Sequence, residues 1–140
     1  MGLVLDTNIP IAFANSEKDK DIMAIEKIYD LISGKKFDAF ISAITISEIF
    51  AYYSKRNEKR KAVELELFLE EAGIKTIEIT KKIARESGIF KAKYSISYAD
   101  CIILETAIET ESDIITYDPD FLKVEEIKTL KPEEFLKKKN

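Results

Sequence analysis

Short apolar runs alternate along the chain with segments in which apolar residues recur every three or four positions. Ile25, Ile28, Tyr29 and Ile32 show the second spacing and precede Gly34, which predicts an amphipathic helix that ends at the glycine. Strands that are separated by helices form a mostly parallel sheet covered on both faces. The pattern therefore predicts an α/β fold, a three-layer α/β/α sandwich around a mostly parallel central sheet.

The predicted elements follow one another without a repeat, a low-complexity tract or a long linker, so we expect residues 1–140 to form a single domain. A chain of 140 residues is long enough to bury a core without disulfides or a structural metal. Strands are predicted at residues 3–6, 39–43, 74–79, 113–117 and 124–130. Helices are predicted at residues 10–14, 19–34, 45–55, 58–73 and 81–91, and also from Ser97 and from Pro132 onwards.

The composition narrows the chemistry that the chain can perform. Cys101 is the one cysteine and there is no histidine, which excludes a disulfide framework, Cys/His zinc sites and nucleophiles activated by histidine. The net charge of −4 argues against a general nucleic-acid-binding surface, but not against a nuclease that contacts phosphate through divalent cations. No uncharged stretch is long enough to cross a bilayer, and no signal peptide is recognisable, so we expect a soluble, cytoplasmic protein.

Four acidic residues stand where a predicted strand ends or a predicted helix begins: Asp6, Glu48, Asp100 and Asp118. One edge of a parallel sheet gathers such positions, and ligand sites lie at that edge. Clustered carboxylates repel one another unless a divalent cation holds them together, and oxygen ligands without histidine or cysteine favour Mg²⁺ or Mn²⁺. Such a site suits hydrolysis of phosphodiesters by metal-activated water.

Capping of a helix is an alternative role for the first two acids. Asp6 precedes a predicted helix, and aspartate is a good N-cap residue. Thr45 and Glu48 match a capping box, in which the glutamate reaches back to the amide of the cap residue. On the helical wheel Glu48 lies away from the apolar residues, so it faces either water or a cleft.

Capping is also an alternative for the other two acids. Ser97 can cap a helix with Asp100 three residues later, although the neighbouring apolar stripe would partly desolvate that carboxylate and favour a cation as its partner. Asp118 precedes a proline and can initiate a turn. Asp120 is expected to cap the turn that holds Phe121.

The motifs that contain these acids resemble the signature of the PIN-domain family. They are Leu5-Asp6-Thr7-Asn8, Ser42-Ala43-Ile44-Thr45-Ile46-Ser47-Glu48, Tyr98-Ala99-Asp100-Cys101 and Ile115-Thr116-Tyr117-Asp118-Pro119-Asp120-Phe121. The resemblance covers nearly the whole chain and implies a flavodoxin-like sandwich and a Mg²⁺- or Mn²⁺-dependent ribonuclease. Small single-domain members similar to this chain are often VapC-type toxins of a toxin-antitoxin pair. We therefore expect an RNA substrate, an antitoxin partner and a homodimer.

The resemblance also implies roles for individual residues. It assigns metal binding and catalysis to four acids, Asp6, Glu48, Asp100 and Asp118. It assigns supporting roles to three polar residues, Asn8, Thr116 and Asp120, and the last of these is an alternative to Asp118 as the fourth acid. The implied reaction is attack of metal-activated water on an RNA phosphodiester, which leaves a 5′-phosphate and a 3′-hydroxyl.

Two further groups of residues are candidates for binding. Lys91 and Lys93 precede the third motif and are expected either to contact the RNA backbone or to be solvated surface lysines. Phe50, Tyr52 and Tyr53 cover more than one side of a short helix. Core packing explains some of these aromatic residues, and the excess suggests a contact with a second copy or with an antitoxin.

Two other functions remain open at this point. An acid at the end of the first strand, together with Mg²⁺ ligands, also serves phosphoryl transfer through an aspartyl phosphate. That phosphatase chemistry requires a second acid two residues after Asp6, where this chain has Asn8, so it ranks below a nuclease. The remaining alternative is a non-catalytic PIN-like module that binds RNA or protein and uses its acids as caps.

Overall fold

The computed structural model describes residues 2–139, which fold into a five-stranded sheet with seven α-helices. The strands are β1 Gly2–Leu5, β2 Asp38–Ser42, β3 Lys75–Ile77, β4 Ser112–Ile115 and β5 Thr129–Leu130. The helices are α1 Asn8–Ala14, α2 Ile22–Ser33, α3 Ala43–Ser54, α4 Lys59–Glu71, α5 Lys81–Lys93, α6 Tyr98–Glu109 and α7 Pro132–Lys139. A 3₁₀ segment, Pro119–Lys123, lies between β4 and β5. Within this range, no helix combines the length and the apolar character that a membrane span requires.

The strand order places β1 in the centre of the sheet. The order is β3-β2-β1-β4-β5, and each pair of neighbours is parallel. Leu3 of β1 pairs with Ala39 of β2 on one side and with Asp113 of β4 on the other. The chain builds β2 and β3 in one half of the sheet before it crosses to β4 and β5, so the order reverses between β1 and β4. Open α/β sheets bind ligands at such a reversal, outside the carboxyl ends of the strands.

Two hydrophobic clusters cover the two faces of the sheet. Leu3 and Leu5 of β1 belong to the larger cluster, which includes residues of α1 to α4 and Phe135 of α7. Val4 points the other way into the smaller cluster, which includes four residues of α6 and the partly buried Phe90 of α5. All four residues of β1 are buried because both faces of the strand are covered. The predicted α/β fold, with helices on both faces of a parallel sheet, is confirmed.

For α2 and α3, the helix begins away from the predicted position because a different residue caps it. α2 begins at Ile22, three residues later than predicted, where the side chain of Asp21 is the N-cap. α3 begins at Ala43, two residues earlier than predicted, because Ser42 at the end of β2 accepts a hydrogen bond from the amide of Ile44. The prediction that α3 begins with Thr45 as its cap is therefore wrong.

The last strand is much shorter than predicted. Only Thr129 and Leu130 pair with β4, whereas the apolar pattern predicts a strand over residues 124–130. Val124 and Ile127 pack into the smaller hydrophobic cluster from an irregular segment. Burial of these two side chains explains their apolar character without ladder pairing.

Candidate metal centre

The four acids line one cleft at the carboxyl edge of the sheet, where the strand order reverses. Asp6 follows β1, Glu48 lies on α3, Asp100 lies in the first turn of α6 and Asp118 follows β4. The cleft has a volume of about 430 Å³. Its other lining residues are Thr7, Asn8, Ile11, Glu17 and Tyr52. Acids that are far apart in the chain therefore converge on a single cavity.

Asp6 is the most deeply buried acid of the cleft, with 5% of its surface exposed. Its Oδ1 accepts a hydrogen bond from the amide of Thr7 at 2.8 Å. Its Oδ2 accepts from the hydroxyl of Thr116 at 2.6 Å and from Nδ2 of Asn8 at 3.0 Å. Burial, together with the charges of Asp100 and Glu48, raises the pKa of Asp6 to about 7, although the hydrogen bonds from Thr116 and Thr7 oppose this rise.

Asn8 and Thr116 brace the junction between β1 and β4. The hydroxyl of Thr116 accepts a hydrogen bond from the amide of Asp118 at 2.9 Å while it donates to Asp6. Nδ2 of Asn8 lies 3.4 Å from the same hydroxyl, and its Oδ1 accepts from the amide of Tyr117 at 3.4 Å. These contacts fix the orientation of Asp6, and they give both residues the geometry of supporting groups.

Glu48 points into the cleft and does not form a capping box, because Ser42 rather than Thr45 is the N-cap of α3. The hydroxyl of Thr7 donates to Oε1 of Glu48 at 2.6 Å. Thr45 is fully buried in the first turn, and its hydroxyl hydrogen-bonds to that of Thr7 at 2.9 Å. A chain of hydroxyl groups therefore holds Glu48 beside the end of β1.

Asp100, Asp118 and Asp120 form a group in which one carboxylate oxygen of each residue lies within 4.8 Å of the others. All three are half-buried. Asp6 and Glu48 line the same cleft but lie outside this group. Asp118 and Asp120 both belong to the group, so the geometry leaves both of them available as an acid of the centre.

Two caps hold this three-aspartate group in place. As predicted, Ser97 caps α6, and its hydroxyl accepts from the amide of Asp100 at 3.1 Å. The 3₁₀ segment is capped by Asp118, whose Oδ1 accepts from the amide of Asp120 at 2.9 Å. The prediction that Asp120 is the cap of this turn is therefore wrong. Burial, and then the charge of Asp118, raises the pKa of Asp100 to about 6.

The donor set fits a hard divalent cation. The acids offer only oxygen ligands, which Mg²⁺ and Mn²⁺ prefer. Among the described residues, the salt bridge at this centre joins Lys123 to Asp120 at 3.7 Å, and none involves the four acids of the cleft. Burial is the main cause of the raised pKa of Asp6 and of Asp100, and the charges of neighbouring carboxylates contribute to both shifts unless a cation neutralises them. A bound Mg²⁺ or Mn²⁺ would remove this repulsion.

The structure places the two predicted RNA-binding lysines outside the lining of the cleft. Nζ of Lys91 donates to the carbonyl of Ile96 at 2.7 Å and lies 5.4 Å from the ring centroid of Tyr98. Nζ of Lys93 forms a 2.7 Å salt bridge with Glu126. Both side chains are therefore engaged in contacts within the protein.

The three aromatic residues of α3 have separate environments. Tyr53 is buried, with 1% of its surface exposed, and Phe50 packs against the larger hydrophobic cluster. Tyr52 lines the acidic cleft. Sequence reasoning missed the place of Tyr52 in the cleft, and it also missed Glu17, which follows α1 outside any motif. No local signal marks either residue, because only the tertiary structure brings them to the acids.

The chain belongs to the PIN domain family, because the model of that family matches residues 3–127. Among curated proteins, none matches the sequence at a significant level. The matched family is therefore the one that the sequence motifs resemble.

Solved structures with the same fold are chains of VapBC complexes and related toxins. A chain of VapBC2 from Rickettsia felis, bound to a DNA fragment from the promoter, has a TM-score of 0.76 and 20% identity, over 94% of this chain and 98% of that one. A chain of DNA-bound VapBC from Salmonella typhimurium has a TM-score of 0.73 and 18% identity, over 94% of this chain and 98% of that one. VapC20 of Mycobacterium tuberculosis, a toxin that cleaves the sarcin-ricin loop, has a TM-score of 0.70 and 14% identity, over 86% and 93%.

Proposed function

We propose that this protein is a Mg²⁺- or Mn²⁺-dependent endoribonuclease that hydrolyses RNA phosphodiesters. The observation that carries the proposal is the convergence of Asp6, Glu48, Asp100 and Asp118 on one open cleft, without a salt bridge to any of the four among the described residues. Helix caps do not require such convergence, because each cap acts on its own helix. A centre for a cation that contacts phosphate does require it.

The side chains of the cleft divide into ligands and groups that orient them. Asp6, Glu48, Asp100 and Asp118 would hold the ion, with Asp120 as a further oxygen donor beside Asp118. When bound, the ion lowers the pKa of a coordinated water and stabilises the charge that develops on the phosphate. In the proposed reaction water attacks phosphorus and the bond to the 3′ oxygen breaks, which leaves a 5′-phosphate and a 3′-hydroxyl.

The orienting groups set the direction of the two acids at the end of β1. Thr116 and Asn8 hold one oxygen of Asp6, and the amide of Thr7 holds the other. The hydroxyl of Thr7 holds Glu48. Because these donors stabilise the ionised form of Asp6, they favour the state that binds a cation.

We further propose that the protein is the toxin of a VapBC-type pair, acts in the cytoplasm as a homodimer, and is inhibited by an antitoxin. The support is the fold that this protein shares with chains from VapBC complexes, over nearly the whole length of both chains. Co-expression with the product of an adjacent small gene tests the antitoxin: growth arrest on expression of this chain alone, relieved by that product, is expected. Relief by an Asp6→Asn substitution in this chain links the arrest to the cleft.

Cleavage of end-labelled single-stranded RNA tests the nuclease. We expect cutting with Mg²⁺ or Mn²⁺, none with EDTA, and none by Asp6→Asn or Asp100→Asn. Asp113→Asn is the matched control, because Asp113 is a half-buried acid on β4 outside the lining of the cleft. Equal cutting by the wild type and both cleft variants would contradict the proposal.

A non-catalytic module is the remaining alternative, and metal titration separates it. If the acids act only as caps, Mn²⁺ binds no more tightly than to an ordinary acidic surface, and no RNA is cut. The phosphotransfer alternative is disfavoured because Asn8, which donates to Asp6, stands where that chemistry requires a second acid. Stable phosphorylation of Asp6 by a small phosphodonor would restore it.

A further inference from the structure

A guanidinium group is stacked on one wall of the acidic cleft. Tyr52 lines the cleft, and Cζ of Arg56 lies 3.6 Å from the centroid of its ring. Nη1 of Arg56 also donates to the carbonyl oxygen of Tyr52 at 2.7 Å. Arg56 is exposed and lies in the turn between α3 and α4. A cationic group is therefore packed against a side chain of the cleft wall, although Arg56 is not itself a lining residue.

The ring that carries Arg56 is fixed by its neighbours. Nδ2 of Asn15 donates to the hydroxyl of Tyr52 at 3.0 Å, and the hydroxyl of Tyr53 donates to Oδ1 of Asn15 at 2.8 Å. The rings of Tyr52 and Tyr53 meet edge to face, with centroids 4.9 Å apart. Because Tyr53 is almost completely buried, this network joins Tyr52 to the core. The guanidinium of Arg56 thus stacks on a ring whose position is fixed by its contacts.

Within the described part of the chain, Arg56 and Lys91 both lack a salt bridge, but Arg56 is exposed, whereas Lys91 is half-buried and donates to the carbonyl of Ile96. Lys20, Lys93 and Lys123 form salt bridges with Asp19, Glu126 and Asp120, respectively. Among residues 2–139, no carboxylate forms a salt bridge with Arg56. Glu58, two residues further on, is paired with Lys61 at 2.6 Å. Most of the donors of the Arg56 fork are therefore available to a ligand.

The charge of the cleft creates a need for such a cation. Five carboxylates line it: Asp6, Glu17, Glu48, Asp100 and Asp118. A divalent ion would compensate part of this charge at the scissile phosphate. The neighbouring phosphates of an RNA strand would still be repelled by the remaining negative charge. An arginine fork matches a phosphate with two parallel hydrogen bonds, and stacking on a ring holds the fork in place.

We propose that Arg56, held on the ring of Tyr52, binds a backbone phosphate of the RNA strand next to the scissile one. This inference rests on the proposed ribonuclease function and names a substrate-binding group for it. Arg56 contacts no acid of the metal centre, so its contribution is to strand binding and not to the chemical step. The contact is with the backbone and therefore acts on RNA of any sequence.

Arg56→Gln tests the inference, with Arg60→Gln as the matched control. Arg60 is also an exposed arginine, but it lies on α4 and pairs with Glu64 at 3.6 Å. For Arg56→Gln we expect KM for single-stranded RNA to rise about tenfold with kcat nearly unchanged. The slope of log binding constant against log salt should fall by about 0.7, the value for one lost phosphate contact in a single strand. Arg60→Gln should change neither quantity.

The outcomes separate this inference from the function on which it rests. If the wild type cleaves RNA and Arg56→Gln matches Arg60→Gln in KM and salt slope, the role of Arg56 is overturned and the nuclease stands. Binding of a labelled ten-nucleotide RNA to the Asp100→Asn variant with Mn²⁺, with and without Arg56→Gln, gives a readout without turnover. An absence of both binding and cleavage overturns both proposals. Arg56→Lys should restore only part of the affinity, because lysine lacks the planar fork.

Discussion

Asp6 and Glu105 are buried to a similar extent, but their carboxyl groups differ in location and in the hydrogen-bond donors around them. Their exposed fractions are 5% and 4%, and burial raises the pKa of each to about 7. Asp6 lies at an open cleft and accepts three hydrogen bonds. Glu105 lies on α6 among charges of α5 and of its own helix, and no described donor reaches its carboxyl group.

The difference shows that burial and a raised pKa do not by themselves make a functional site. Besides burial, the charges of Glu109 and Glu86 contribute to the raised pKa of Glu105, and the charge of Lys82 opposes them. Lys82 is itself paired with Glu109 at 3.1 Å. Glu105 has no described donor that orients its carboxyl group, whereas Asp6 has such donors and other acids that face the same cavity.

The largest expected effect is on catalysis and separates the two buried acids. Asp6→Asn should lower the rate of RNA cleavage by at least about 10³-fold, because it removes a charged oxygen ligand. Glu105→Gln should leave the rate unchanged within about twofold, since Glu105 lies outside the cleft. Single-turnover cleavage at saturating Mg²⁺ measures both. A loss of activity in both variants would mean that the comparison reflects folding and not the site.

The next effect concerns pH in the absence of metal. The folded protein retains a proton on Asp6 up to about pH 7, whereas the unfolded chain releases it near pH 4, so the free energy of unfolding should fall as pH rises between these values. For Asp6 alone the loss is about 4 kcal/mol. Urea unfolding from pH 4 to pH 8 measures it.

Addition of Mg²⁺ at pH 8 sharpens this test. The wild type and Glu105→Gln should both gain thermal stability, because the ion binds the ionised acids of the folded state only. Asp6→Asn should gain much less. An equal gain for all three proteins would exclude Asp6 from the centre.

A smaller effect is expected from removing the buried charge that has no donor. Glu105→Leu should raise the free energy of unfolding at pH 8 by about 1 kcal/mol, because a buried carboxylate without a partner is replaced by an apolar group. At pH 5, where Glu105 is protonated in the folded state, the gain should shrink. Glu109→Gln is the control and should change stability by less than about 0.5 kcal/mol. Destabilisation by Glu105→Leu at pH 8 would reveal a partner for its carboxylate.

The last comparison separates the two roles of Asp118. Asp118→Ala should destabilise the metal-free protein by about 1 kcal/mol, since it removes the cap of the 3₁₀ segment, whereas Asp118→Asn keeps a capping oxygen. Both substitutions should reduce cleavage, because both remove the charge. Thermal melts alongside cleavage rates measure the two roles. Full activity in Asp118→Asn would assign the fourth acid to Asp120.

Local patterns in the sequence were sufficient for the fold class and for some of the caps. The helical spacing that ends at Gly34 and the cap at Ser97 depend on contacts within a few residues, and both are present in the structure. The prediction of a capping box at Thr45 is wrong because Ser42 caps the same helix. The prediction of a strand over residues 124–130 is wrong in length because the apolar residues at its start are buried in the smaller cluster without strand pairing. In both cases the same local sequence pattern is compatible with two different local structures.

The sequence by itself determined the residue types of this protein, the alternation of strands and helices, and the position of each acid at the end of an element. Only the tertiary structure decided which of these ends meet. The strand order brings β1 beside β4, so that Asp6 accepts a hydrogen bond from Thr116, 110 residues away, at 2.6 Å. The same packing brings Glu17 and Tyr52 to the cleft. The physical reason is that periodicity reports which face of an element is buried, whereas the partner of that face depends on the packing of the whole chain.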